Sequence, residues 1–134
     1  MYYLANLVLL LVIAYQFRTI YLSFRVPNII PEEIPALKKQ HKNKLQIIDL
    51  RTYGRFNKSN IKGSKHIPIG QFSSRIEKMS PDKKYVLVTQ NGTQTGRSVK
   101  EMIDKGYDAV NLKGGYRAWK KYQKDWLVCF QWIL

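Results

Sequence analysis

Residues 85–99 read YVLVTQNGTQTGRSV. The β-branched run that closes at Val88 has the pattern of a buried strand. The polar stretch behind it holds Gly92 and Gly96 and ends where a helix begins. Strand, tight loop and helix N-terminus together form a place where backbone N–H groups and a helix dipole meet an anion or a nucleophile. Thr89, Gln90, Asn91, Gly92, Thr93, Gln94 and Thr95 make up the loop. They offer hydroxyls and amides, which are neutral donors, but no thiol, imidazole or ammonium. A hydroxyl has no ionised form near neutrality and needs an adjacent base before it can attack. The loop therefore reads as an anion-binding element without a catalytic residue of its own, or as a plain turn. Asp49, Arg51 and Arg97 are the supporting charged residues, and the first two are expected to fix a strand end and the loops around it.

Other residues with chemical potential are few. Cys129 is the single cysteine, which excludes an internal disulfide and fits a reducing compartment. It sits in WLVCFQWIL with no base beside it, where a free cysteine is expected to be buried and inert. His66 precedes Ile67-Pro68 and is expected to be structural. His41 lies in the basic run KKQHKNK and is expected to be solvated. No His, Cys, Asp or Glu spacing suggests a metal site, and no cofactor motif is present.

The elements that must position the loop follow from periodicity. LQIIDL (45–50), HIPI (66–69), KYVLV (84–88) and DAVNL (108–112) read as strands. Helices are predicted from Pro31 to about Gln40, over 71–79, over 95–107 with Gly106 as its stop, and over 113–126 after a glycine turn. VPNIIP (26–31) reads as a linker and RTYGRFNKSNIKGSK (51–65) as loop and turn. Strands alternating with helices over short connections argue for an α/β domain with a mainly parallel sheet.

The first seventeen residues, MYYLANLVLLLVIAYQF, carry no charge. A membrane-spanning helix needs roughly 17–25 such residues, and Tyr2, Tyr3 and Tyr15 lie near the two ends, where amphipathic rings suit the headgroup level. A cleaved signal peptide would want a basic start and a small-x-small site, and neither is present. Residues 1–25 are therefore expected to form one transmembrane helix and its juxtamembrane segment, ahead of a domain over 26–134. Arg18, Arg25 and residues 38–44 all follow the apolar run, so the positive-inside bias places the domain in the cytoplasm of a single-pass membrane protein. The formal charge is +14, from 23 Lys and Arg against 9 Asp and Glu. Beside a bilayer such basic residues have anionic lipid as a ready partner. They are scattered without interleaved aromatic residues, so nucleic acid is not an expected partner.

Four pieces in order resemble rhodanese-like domains. They are IIDLR (47–51), IKGSKHIPIG (61–70), the loop after Val88, and GYDAVNLKGGYRAW (106–119). The resemblance covers roughly residues 28–122 and implies a three-layer domain with helices flanking the sheet. The family's active loop reads Cys-x-x-Gly-x-Arg-Ser after a strand. Without gaps, Gly92 and Gly106 match, the Cys position falls on Thr89, the Arg position on Gln94 and the Ser position on Thr95. A rival register anchored on Arg97-Ser98 puts Gly92 at the Cys position and shortens the spacing to Gly106. The family's cysteine carries sulfur as a persulfide, and that chemistry needs a thiolate stabilised by positive charge and oriented N–H groups. Thr89 and Gln94 supply neither thiolate nor charge. The resemblance thus implies a membrane-anchored, rhodanese-like docking or anion-binding domain without sulfurtransferase activity, with a small anion or a protein as partner. The alternative is an active sulfurtransferase or phosphatase-like enzyme that uses Cys129 or a partner's thiol.

Overall fold

A computed structural model describes the backbone of residues 1–24 and 26–133, and their side chains apart from those of residues 19, 20, 22–24, 132 and 133. Five parallel strands form one sheet in the order β1-β5-β4-β2-β3: β1 Asn28–Ile29, β2 Leu45–Asp49, β3 Ser64–His66, β4 Lys84–Val88 and β5 Asp108–Leu112. The helices are α1 Tyr2–Phe24, α2 Ile34–His41, α3 Tyr53–Lys58, α4 Ile69–Ile76, α5 Gly96–Asp104 and α6 Gly115–Ile133.

Both faces of the sheet are covered, as the near-continuous apolar strands require. Ile48 and Leu87 point to one face, where they pack with Phe72 and Ile76 of α4 and Val99 and Met102 of α5. Ile47, Val86 and Val88 point to the other, against Ile34 of α2 and Tyr116 and Trp119 of α6. The period of two along each strand meets helical spacings of three and four, and a three-layer sandwich results. Each such aliphatic side chain contributes about 1.5–3 kcal/mol by leaving water.

Strands β2, β4 and β5 fall where the sequence places them. Four segments differ. The strand expected at 66–69 lies instead at Ser64–His66, and Ile69 opens α4. VPNIIP is not a linker: Asn28 and Ile29 add a strand to the edge of β5, and the Asn111 and Lys113 N–H groups donate to the carbonyls of Pro27 and Ile29 at 2.9 Å each. Residues 51–65 are not all loop, because Tyr53–Lys58 forms α3. The helix predicted to end at 126 runs on, and residues 126–133 continue α6. The predicted start at Pro31 becomes a 3-10 turn over Pro31–Glu33 that feeds α2, and the Glu33 carboxylate accepts the Ile30 N–H at 2.8 Å.

The expected transmembrane helix requires correction. Among the described residues no helix is long and apolar enough to cross a membrane. The uncharged run ends at Phe17 and Arg18 follows, which leaves it at the short end of the roughly 17–25 residues a span needs. Arg25 lies outside the described residues. Helix α1 touches α5, but Leu7 to Ile13 are all 46–63 % exposed, and consecutive residues at 100° per position cover every face of the helix.

Candidate functional site

After β2 the chain runs out to β3 and returns to β4 on the other side of β2. In open α/β sheets the crevice at such a reversal, at the carboxyl ends of the strands, is where ligands sit. Here the two ends are Asp49 to Arg51 and Val88 to Thr89, locked side by side by the Leu50 N–H on the Val88 carbonyl at 2.8 Å.

Asp49 and Arg51 form a buried pair. The Arg51 Nε lies 2.9 and 3.0 Å from the two Asp49 oxygens and Nη2 lies 2.7 Å from Oδ2. The Arg51 backbone N–H also donates to Asp49 Oδ1 at 3.0 Å. Nη2 donates further to the Ser59 carbonyl at 2.7 Å, and the guanidinium carbon lies 3.7 Å from the Tyr116 ring centroid. Arg51 is therefore neutralised and ties the end of α3 and the start of α6 to the sheet. His66 works on the same segment. Its Nε2 lies 2.7 Å from the Arg51 carbonyl, an acceptor only, so Nε2 carries the proton. Its ring stacks on Phe56 with centroids 4.7 Å apart. The structural role expected for His66 holds.

The loop from Thr89 to Thr95 is braced from within. Thr89 is buried, and its Oγ1 accepts the Gly92 N–H at 3.0 Å. The Thr95 hydroxyl lies between the Gly92 carbonyl, at 2.9 Å, and the Asn111 side-chain oxygen, with one proton for the two. The Asn111 amide donates to the Gly92 carbonyl at 3.0 Å and to Asn28 Oδ1 at 2.7 Å. Gly92 adopts φ +76° and Gly115 φ +62°. A Cβ on Gly115 would stand 2.3 Å from the Thr89 carbonyl oxygen and 2.6 Å from the Gly92 nitrogen. Only glycine permits this approach of the α6 start to the loop. The first N–H groups of α6 then cap the loop: Tyr116 donates to the Thr89 carbonyl at 2.8 Å and Arg117 to the Gln90 carbonyl at 3.2 Å. Among the described residues, the N–H groups of Gln90, Asn91, Thr93 and Gln94 donate to no other backbone carbonyl.

Beside the loop opens a hollow of about 800 Å³. Arg55 and Lys58 of α3, Gln90 of the loop, and Arg117, Lys120, Lys121 and Lys124 of α6 line it with Arg51 and Tyr116. Apart from Arg51, none of these cations has a carboxylate partner among the described residues. The Gln90 side-chain oxygen is buried there without a hydrogen bond. A concave wall of one charge sign focuses potential and concentrates anions. The sequence hides this hollow because α3 has no buried side chain to give it an apolar periodicity. Its signal was the basic spacing 117, 120, 121, 124, which is one face of a helix.

The structure thus gathers Asp49, Arg51, Thr89, Gln90 and Thr95 at one end of the sheet, whereas Asn91, Thr93 and Gln94 are exposed. Arg97 is exposed and lines a separate hollow on α5 with Lys100, Asp104 and Lys105. Cys129 is exposed, not buried. It lies fourteen positions beyond Gly115 on α6, about 21 Å along the axis at 1.5 Å per residue, so it does not reach the loop.

A three-layer parallel α/β domain, with its site loop between the central strand and a Gly-Gly helix start, defines the class. Residues 34–122 match the rhodanese-like domain family, and the chain belongs to that family. It is similar to the uncharacterized protein YqhL of Bacillus subtilis, with 34% identity over 77 residues, which are 57% of this chain and 61% of YqhL. It is also similar to the thiosulfate sulfurtransferase GlpE of Pseudomonas aeruginosa, with 28% identity over 94 residues, 69% of this chain and 83% of GlpE. Among solved structures, a rhodanese-like domain protein from Staphylococcus aureus superposes with a TM-score of 0.62 and 27% identity, over 69% of this chain and 90% of that one.

Proposed function

We propose that this chain is a rhodanese-like domain that binds an anion beside its loop and transfers no sulfur through it. The observation that carries this reading is at Thr89. The side chain at the family's cysteine position is a buried hydroxyl already accepting the Gly92 N–H, and the chain's one thiol lies about 21 Å down α6. With no thiolate in the loop and, among the described residues, no base against Thr89, the first half of a persulfide cycle lacks its nucleophile, and no persulfide forms for an acceptor to attack. The basic hollow remains, with the loop N–H groups that donate to no backbone carbonyl among the described residues, and both favour a small anion or an acidic group on a partner protein. The matching experiment is transfer of sulfane sulfur from thiosulfate to cyanide, expected to be absent in wild type. Robust turnover that disappears in Cys129→Ser would instead support an enzyme that borrows its thiol from α6.

The same reading includes a membrane seat. Helix α1 is 23 residues long, about 35 Å, and apolar side chains cover all its faces through residue 13. A helix apolar all round is stable only when covered, by protein or by lipid. The charge-free run before Arg18 and the basic residues after it favour a lipid surface as that cover.

A further inference from the structure

Helix α6 is longer than the domain needs. Tyr116 and Trp119 are buried against the sheet and Tyr122 packs beside them. The same stripe continues at Trp126 and Phe130, whose rings stack with centroids 5.5 Å apart and stay exposed. Trp126, Leu127, Val128 and Phe130 are 48–62 % exposed. Over the preceding turns the helix carries Arg117, Lys120, Lys121 and Lys124, all exposed, which line the basic hollow together with Leu127. The overhang thus joins an aromatic, apolar tip to a cluster of cations that no carboxylate neutralises among the described residues.

We propose that the C-terminal half of α6 docks on an anionic lipid surface, with Trp126, Leu127 and Phe130 in the headgroup boundary and Lys120, Lys121 and Lys124 against lipid phosphates. Charge complementarity selects this occupant: a second copy of the chain would bring the same cations into opposition. Eight helical residues, 126–133, reach about 12 Å, too short to cross a bilayer but matched to insertion at its interface. Aromatic side chains suit that depth, and long lysine stems let their ammonium groups reach the phosphates. The proposal is independent of α1, which would hold the chain on neutral and anionic bilayers alike.

Cys129, the only thiol and an exposed one, gives the test its reporter. The full chain is labelled there with a nitroxide and added to vesicles of phosphatidylcholine, with and without phosphatidylglycerol. Oxygen, concentrated in the bilayer, and an aqueous nickel chelate are the two relaxing agents. With phosphatidylglycerol the label is expected to become more accessible to oxygen and less to the chelate, and raised salt should reverse the change. Lys120→Gln/Lys121→Gln/Lys124→Gln should shift the docked-to-free ratio by about 100-fold toward free, at about fivefold per cation. A label equally open to the chelate in both lipids overturns the proposal. So does spin–spin broadening that vanishes on dilution with unlabelled chain, since the occupant would then be a second copy.

Discussion

Gly115 and Asp49 show how single residues hold the site. Gly115 is in the left-handed region and its missing Cβ leaves room for the Thr89 carbonyl at 2.3 Å. Gly115→Ala is expected to destabilise the domain by at least about 2 kcal/mol, because left-handed backbone alone disfavours a side chain by roughly 1–2 kcal/mol and the clash is with backbone. Gly54→Ala is the control: no atom lies within 4 Å of a Cβ there, and the position is helical, so stability should hold or rise by roughly 0.5–1 kcal/mol. Urea denaturation of the two variants checks both, and equal effects would contradict the packing described. Asp49→Asn leaves the Arg51 charge buried without its partner and is expected to destabilise by about 3–5 kcal/mol. Thr89 was legible in the sequence as the loop's first residue, since strand and loop signals flank it on both sides. Its hydroxyl's bond to Gly92 and the brace from Asn111 were not, because they depend on distant segments meeting.

At the scale of elements, strands β2, β4 and β5 were readable because each is an apolar run covered on both faces, and that leaves a plain signature. The elements that escaped are those whose stability comes from neighbours. Strand β1 has two residues, and its pairing with β5 supplies what its own sequence lacks. Helix α3 has no buried side chain to give it periodicity, and Arg51 and His66 hold its surroundings from outside. The C-terminal half of α6 was readable as apolar, but not as helix overhanging into solvent. Buried Tyr85, on β4, gives the sheet a pH signature. Burial, the largest influence, pushes its phenol above the ordinary value, while its hydroxyl donates to the Ser80 carbonyl at 2.8 Å. The folded chain then keeps this proton where the unfolded chain has lost it. Its contribution is full below about pH 10, the ordinary tyrosine value, and is lost as pH rises through the folded value. In Tyr85→Phe, stability should be lower by about 1 kcal/mol near neutrality and should decline less steeply above about pH 10. Parallel profiles for the two proteins would contradict this.

For the whole molecule, the domain and its two apolar helices make separate expectations. The full chain should sediment with membranes and require detergent for release, whereas a chain beginning at Pro27 should be recovered without it. Recovery of the full chain in the soluble fraction would remove α1 as a membrane seat. The rhodanese-like fold itself was legible because four motifs keep order and spacing. The neutral loop residues Thr89 and Gln94 were legible in the sequence, whereas the basic hollow needed the fold to assemble it. Under the proposed function an anion binds beside the loop, and the loop lacks the nucleophile for sulfur transfer. The most direct measurement compares thiosulfate–cyanide transfer by the wild-type chain and by Thr89→Cys/Gln94→Arg, which puts a thiol and a cation into the same loop. The account predicts no turnover above background in wild type and measurable turnover in the double variant. Turnover in wild type that survives when Thr89 becomes Ala would contradict it.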